Sequence, residues 1–295
     1  MITRRNLLKG LLGTSLAGLF TGIYAGFVEP DLRMQVQRWA LQPKGWPRGR
    51  ALRLVMVADL HGGWPNMSVA RIRAVVALAN AQGGDMILLM GDYRATHRFQ
   101  MDLVPITMSA PILAQLQAPL GVFAILGNHD WWDALRLDKA AMAPIPTQTA
   151  LEAAGIEVLV NQAIKLDGFW LAGLDSQTAL QTIRQHKDDW VGKSDLAGTM
   201  RQITDDDPVI LLAHEPDVFA QVSSRVALVL SGHTHGGQIR FGPWVPVVPS
   251  QFGTRFVYGC IQEDGRDLVV SGGLGCSGLP VRFGAPPEIT VVDLS

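Results

Sequence analysis

The 295 residues suffice for one large domain or two small ones, with a sizeable core in either case. A formal net charge of −1 gives no reason to expect a nucleic acid as partner. Two cysteines, Cys260 and Cys276, exclude a disulfide framework and a thiolate zinc site, leaving either one disulfide or two buried thiols.

The chain begins with a targeting pattern. Adjacent arginines in Thr3-Arg4-Arg5-Asn6-Leu7-Leu8-Lys9 precede eighteen uncharged residues, Leu11 to Val28. Residues 1–30 resemble a twin-arginine export signal, and the apolar run is near the lower end of what crosses a bilayer, roughly 17–25 residues. Tyr24-Ala25-Gly26 is a poor small-residue cleavage site, so the segment also has the makings of a membrane anchor. Basic residues stay inside, which puts the rest of the chain on the outer face of the cytoplasmic membrane or in the periplasm or cell wall. Residues 31–50 read as a linker: Trp39, Pro43, Gly45, Trp46, Pro47 and Gly49 break any period, and Arg38, Lys44, Arg48 and Arg50 are basic. The same composition suits a tether along an anionic lipid surface or a first β-hairpin.

From residue 51 the pattern is regular, and residues 51–295 are expected to form one domain. Leu52 to Ala58 reads as a strand ending on Asp59-Leu60-His61. Ser68 to Ala81 has helical spacing with Ser68 as N-cap. Met86 to Met90 is a second buried strand, closing on Gly91-Asp92. Asp102 to Leu116 reads as helix, with Pro105 and Pro111 in first turns or breaks. Gly121 to Leu126 is the third strand; Gly127 then frees the backbone, and Asn128, His129 and Asp130 follow. Thr147 to Ala154 is a short helix ended by Gly155, followed by strands near 157–160, 164–166 and 170–174. Helices are expected over 178–186 and 195–203, and strands over 209–213 and 226–230, before His214 and His233. The tail is β-rich, with strands near 238–241, 255–261, 268–270 and 289–292. Strands alternating with helices, then more strands, predict an α/β fold in which a sheet sandwich is flanked by helices.

Polar groups collect at the strand ends: Asp59 and His61, Asp92, Asn128 with His129, His214, and His233 with His235. Asp59 and Asp92 are 33 residues apart, Asp92 and Asn128 36, each one strand–helix repeat, so successive strand ends converge on one crevice. Each block alone is also a good polar turn. Together, five of the seven histidines fall in these places, which a chance set of turns does not explain. Asp, His and Asn donors suit two divalent metals about 3.5–4 Å apart, with Asp92 as the bridging carboxylate. His233 and His235, one residue apart, would point to the same side of an extended backbone. Mixed nitrogen and oxygen donors suit Mn, Fe or Zn. Two dications against two carboxylates leave an electropositive site built for a phosphate ester.

These ordered blocks, Asp59-x-His61, Gly91-Asp92, Gly127-Asn128-His129-Asp130, His214 and Gly232-His233-Thr234-His235, resemble the calcineurin-like metallophosphoesterase superfamily. The resemblance implies a four-layer α-β-β-α sandwich of two mixed sheets. It implies that Asp59, His61, Asp92 and His235 hold one metal, and Asp92, Asn128, His214 and His233 the other. It further implies a metal-bridging hydroxide as nucleophile and His129 as general acid. The twin-arginine leader, Ala213-His214-Glu215-Pro216-Asp217, Gly-His-Thr-His-Gly-Gly-Gln and the run Gly275 to Phe283 are similar to the exported bacterial phosphodiesterase branch, the YkuE- and YaeI-like proteins. Protein Ser/Thr phosphatases of the superfamily carry Gly-Asp-x-x-Asp-Arg-Gly, whereas Gly91-Asp92-Tyr93-Arg94-Ala95-Thr96 has Ala and Thr in place of Asp and Arg. That departure argues against a phosphoprotein substrate and leaves the partner that orients His129 unidentified; Asp130 reads as the cap of the following turn.

Trp64, Trp131, Trp132 and Trp244 are expected in loops beside the ligand residues, and Phe241 to Pro249 reads as a rigid surface loop. Trp64, Trp131 and Trp244 are the candidate substrate-binding residues. The expected partners are a phosphoester substrate and a membrane surface. A membrane lipid's phosphodiester or pyrophosphate, such as a nucleotide-linked glycolipid or a phospholipid headgroup, fits an apolar rim on an anchored enzyme. The alternatives are a phosphomonoesterase or nucleotidase, or a metal-bound scaffold without catalysis. The sequence sets no oligomeric state.

Overall fold

In the computed structural model, which describes residues 3–95, 99, 101–138, 142–181 and 191–295, the apolar runs form strands and the helically spaced segments cover them. Helix α1 (Arg4–Ile23), a π turn (Tyr24–Val28) and α2 (Glu29–Leu32) make one rod. Then come β1 (Gln35–Leu41), β2 (Leu52–Val57), α3 (Val69–Asn80), β3 (Met86–Leu89), α4 (Ile106–Leu113) and β4 (Val122–Ala124). α5 (Asn128–Leu137), α6 (Pro146–Ala153), β5 (Glu157–Val158), β6 (Gln162–Leu166) and β7 (Phe169–Gly173) follow. The chain ends with α7 (Leu196–Met200), β8 (Val209–Leu212), β9 (Val226–Ser231), β10 (Gly259–Glu263), β11 (Arg266–Val270) and β12 (Glu288–Leu294).

The strands build two six-stranded sheets, ordered β1-β12-β2-β3-β4-β5 and β10-β11-β9-β8-β7-β6. Both are mixed: β2, β3, β4 and β5 run parallel, as do β7, β8, β9 and β11, while β12 opposes β2, β6 opposes β7 and β10 opposes β11. Alternate side chains of one strand enter different cores, as a pleat of period two requires. Leu171, Ile210, Leu212, Leu228 and Leu230 meet Leu54, Met56, Met86 and Leu88 between the sheets. Ala172, Val209, Leu211 and Val229 face outward onto Val218, Phe219 and Phe256. On the far side of the first sheet, Val55, Val57, Ile87 and Leu89 pack beneath α3 to α6. This is the expected α/β sandwich with flanking helices. Stacking the sheets face to face brings the C-terminal ends of β2, β3 and β4 against those of β8 and β9.

Several elements differ from their sequence reading. Residues 35–41, inside the expected linker, form edge strand β1, paired in parallel with β12 from Gln35↔Glu288 to Leu41↔Leu294. Trp46 is buried there, its ring 5.6 Å from that of Phe169. The polar turn after Gly127 is the first turn of α5, so Trp131 and Trp132 are helical, not in a loop. Helix α4 is shorter than 102–116 because Pro105 caps it; Pro111 lies inside it. The strand expected at 238–241 reduces to isolated bridges, Ile239 to Phe283 and Phe241 to Trp244, and residues 255–258 turn before β10 begins at Gly259. Of the helix expected over 178–186, residues 178–180 form a turn and 182–190 lie outside the described residues. Both cysteines are free thiols, Cys276 buried and Cys260 partly so.

Candidate metal centre

The strand ends deliver their polar residues on unusual backbone. Asp59 (φ 53°), His61 (φ 43°), Asp92 (φ 58°), His233 (φ 71°) and His235 (φ 54°) are all left-handed, five of the eight such non-glycine residues among those described. A side chain pays for that conformation, and it persists where surrounding contacts over-determine it. Here the contacts are visible. Asp59 N donates to Gly91 O (3.2 Å) and His61 N to Asp92 O (3.0 Å), locking the ends of β2 and β3 together. His233 N donates to Asp59 Oδ1 (3.0 Å), which ties the second sheet to the first. The histidine pair is therefore not extended: left-handed kinks at both residues send His233 and His235 to different neighbours.

Three clusters result. Asp59 groups with His61 and His235; His61 with Asp92 and His129; Asp92 with His214 and His233. Asp92 lies between them, its Oδ2 3.1 Å from His214 Nε2, 3.6 Å from His61 Nε2 and 4.0 Å from His129 Nε2. Asp59 Oδ1 is 3.8 Å from His235 Nε2 and 3.9 Å from His214 Nε2. His61 and His235 face each other through Nε2 at 3.1 Å. Two of the imidazoles are turned by their other nitrogen: His214 Nδ1 donates to Met90 O (2.7 Å) and His61 Nδ1 to Arg94 O (3.3 Å). That fixes the tautomer that presents Nε2 to the centre.

Asp130 holds the frame. Its Oδ2 accepts from Gly127 N (2.8 Å) and Asp92 N (2.9 Å), and its Oδ1 from Tyr93 N (3.2 Å). One carboxylate thus caps α5 and pins the β3 turn. Gly127 packs so closely that a Cβ there would overlap the Asp92 carboxylate, and one on Gly232 or Gly273 would crowd Asp59.

The electrostatics ask for a cation. Burial pushes the Asp59 carboxyl up to about 7, His214 opposing this and Asp92 adding to it. Burial also pushes His61 down to about 3 and His233 to about 4, with the His214 charge helping in the second case, so these rings present neutral lone pairs. Both polar atoms of the buried Asn128 amide lack a hydrogen-bond partner. Buried orphans of this kind cost about 1–3 kcal/mol each unless something occupies the space they face. The donor set, nitrogen and oxygen around a shared carboxylate, fits divalent metal.

The calcineurin-like phosphoesterase model matches residues 52–237, which spans every one of these side chains. The chain belongs to this family. Calcineurin-like phosphoesterases use two divalent metals, and the Asp and His clusters supply donors for them. The chain is 29% identical to the uncharacterized metallophosphoesterase YkuE of Bacillus subtilis over 99% of its length and 98% of that protein's. It is 27% identical to an uncharacterized metallophosphoesterase of Aquifex aeolicus, over 88% and 92% of the two chains. A transmembrane protein with metallophosphoesterase domain from Danio rerio is 29% identical over 82% of this chain and 53% of its own. The YkuE-like branch of the family is thereby the right one.

Seven of the eight residues of the expected centre, Asp59, His61, Asp92, His129, His214, His233 and His235, meet at this crevice, and Asn128, next to His129 in the chain, is buried. His129 differs from the rest in reaching outward: its side chain keeps 13% exposure, Trp132 lies 4.7 Å from its ring, and Ser277 Oγ is 3.3 Å from its Nε2. Of the tryptophans expected on the rim, Trp64 and Trp244 are exposed. Trp131 is not: it is buried in the core beneath α5 and donates from Nε1 to Asp175 Oδ1 (2.7 Å). The helical phase of α5 turns it inward.

Three residues near the centre escaped the sequence reading. Arg282, fully buried, donates to the carbonyls of Gly272, Gly275 and Ala285 and to His235 Nδ1 (3.2 Å). Glu215, next to His214, accepts from Ser176 Oγ (2.5 Å), Thr178 Oγ1 (2.8 Å) and Gln177 N (2.9 Å), clamping the loop after β7. Ser277 is the third. Both Arg282 and Ser277 stand in the Gly275–Phe283 run, whose only signal was its resemblance.

Proposed function

We propose that this metal-dependent phosphoesterase cleaves phosphodiester or pyrophosphate bonds. The observation that carries the reading is the Asp92 carboxylate, with one oxygen facing His61 from the first sheet and His214 from the second. Asp59, His61, Asp92 and His235 would hold one divalent ion, and Asp92, Asn128, His214 and His233 the other. When bound, such a pair supplies an activated water and neutralises charge on the phosphate. The chain's own residues do the rest. His129, at the open side, carries a proton on Nε2 and delivers it to the leaving oxygen. Ser277 and Trp132 set the plane of its ring. Asp130 and Glu215 keep the ligand turns in register.

We further assign the substrate to a membrane lipid's headgroup, supported by the exposed Trp64 and Trp244 and by the rod Arg4–Leu32. That rod is 29 residues long and contains an 18-residue window of mean hydropathy 1.6, long and apolar enough to cross a membrane. Turnover of bis-aryl and mono-aryl phosphates by the metal-loaded chain tests the diester reading. A kcat/KM at least tenfold higher for the diester is expected; hydrolysis of the monoester alone would sink it.

A further inference from the structure

The foot of the N-terminal rod and the metal centre share a loop. Arg282 donates its backbone N–H to Ala25 O (2.8 Å) in the rod while its guanidinium reaches His235. Glu29, buried, accepts from Ala285 N (2.7 Å). On the other flank Asn66 donates to Asp31 Oδ1 (3.0 Å), and Arg71 donates to Pro30 O (2.8 Å) and Asp31 O. The rod is thus fixed to the domain at its last two turns, and its apolar window is unburied.

Sideways from that foot runs a line of rings. Tyr24 meets Phe283 at 5.9 Å, Phe283 meets Phe241 at 5.1 Å, and Phe241 meets Trp244 at 5.5 Å. The line ends in the open, with Trp244 61% and Val247 72% exposed, while Phe27 on the rod is 56% exposed. Trp64, 44% exposed, stands next to Pro65 and Asn66 on the opposite flank. The same loops close on the site: Gln238 Nε2 donates to Ser277 O (3.0 Å) and Leu279 O (2.9 Å), and Ser277 touches His129.

We propose that Phe27, Trp64, Phe241, Trp244 and Val247 form a seat in the interfacial zone of the bilayer that the rod crosses. The metal centre then opens at the level of the lipid headgroups. The eighteen uncharged residues from Leu11 to Val28 span about 27 Å as helix, close to the roughly 30 Å hydrocarbon core. The seat therefore lies just beyond the apolar slab, where tryptophan and other amphipathic rings concentrate. Its continuity with the rod through Tyr24 and Phe283 selects the bilayer as occupant over a second copy of the chain. The proposal rests on the reading of an anchored lipid-headgroup hydrolase and gives it an orientation.

The test uses the full chain in phosphatidylcholine–phosphatidylglycerol vesicles with bromine at the 6,7 positions of the acyl chains. Bromine quenches tryptophan only at short range. We expect quenching of the wild type and loss of at least half of the quenched emission in Trp244→Phe. Val247→Asp, which puts a charge in the seat, is expected to halve the quenching and leave turnover of a soluble bis-aryl diester within twofold of wild type. Equal quenching of wild type and Trp244→Phe, with both sedimenting with the vesicles, would overturn the seat. So would crosslinking between two copies through a cysteine placed at Val247. Failure of the wild type to hydrolyse any soluble diester, with the quenching difference intact, would sink the functional reading and leave the seat standing.

Discussion

His129 and Asp92 sit side by side at the centre but have different surroundings, and the difference sets what each can do. Asp92 is enclosed by imidazoles and receives His129 N on Oδ1 at 2.9 Å, so its oxygens are committed to the interior. His129 looks out, between Trp132 and Ser277. Replacing His129 by Ala is therefore expected to lower kcat for a bis-aryl diester by about 10²–10⁴-fold. Metal content, read by elemental analysis, is expected to stay within a tenth of wild type; a proportional loss of metal would make His129 a ligand instead. The identity of these residues was legible because Asp, Asn and His rarely gather behind apolar runs without a task. Their left-handed backbone was not legible. The positive φ at Asp59 is held by partners distant in sequence, Gly91 O on its N–H and His233 N on its carboxylate, and no local pattern encodes it.

Among elements, β2, β3, β8, β9 and α3 were readable, because their apolar runs or helical spacing and the Ser68 cap (3.3 Å to Arg71 N) are local signals. Helix α5 was not, since Gly127-Asn128-His129-Asp130 satisfies turn chemistry equally well. What makes it a helix is Asp130 reaching back to Gly127 and across to β3. Strand β1 escaped for a related reason: an edge strand half-exposed along its length shows little periodicity. α5 is joined to the loop after β7 by Trp131 and Asp175, and that joint titrates. Burial pushes the Asp175 carboxyl up from 3.8 to about 6, against the bonds from Trp131 and Ser176. A carboxyl raised on folding contributes stability that is full below 3.8 and lost as pH rises through about 6. Asp175→Asn keeps an oxygen for both donors, which share Oδ1, and removes the charge. Its stability relative to wild type, followed by thermal unfolding, is expected to rise between pH 4 and pH 7 by no more than about 3 kcal/mol. A difference that stays flat across that window would show that Asp175 is neutral or ionised throughout.

At the scale of the molecule, two sheets stacked over one apolar layer are what let residues after β2 and β9, far apart in sequence, meet in one crevice. The order of blocks along the chain announced that convergence; the pairing of Asp59 with the His233 amide that completes it became visible only in three dimensions. The rod at the N-terminus is the other whole-molecule feature, and we propose that Arg4 and Arg5 in its first turn are part of an export signal. Replacing both by Lys is expected to leave the folded chain on the inner side of the membrane, protected from protease added to intact cells after the outer layers are opened. Unchanged protease access would exclude twin-arginine export.

Metal stoichiometry tests the proposed dinuclear centre most directly. Protein purified without chelator should carry two divalent ions per chain by elemental analysis, and Asp92→Asn should carry fewer than one while keeping the wild-type circular dichroism. One ion or none in the wild type, or two retained by Asp92→Asn, would contradict it.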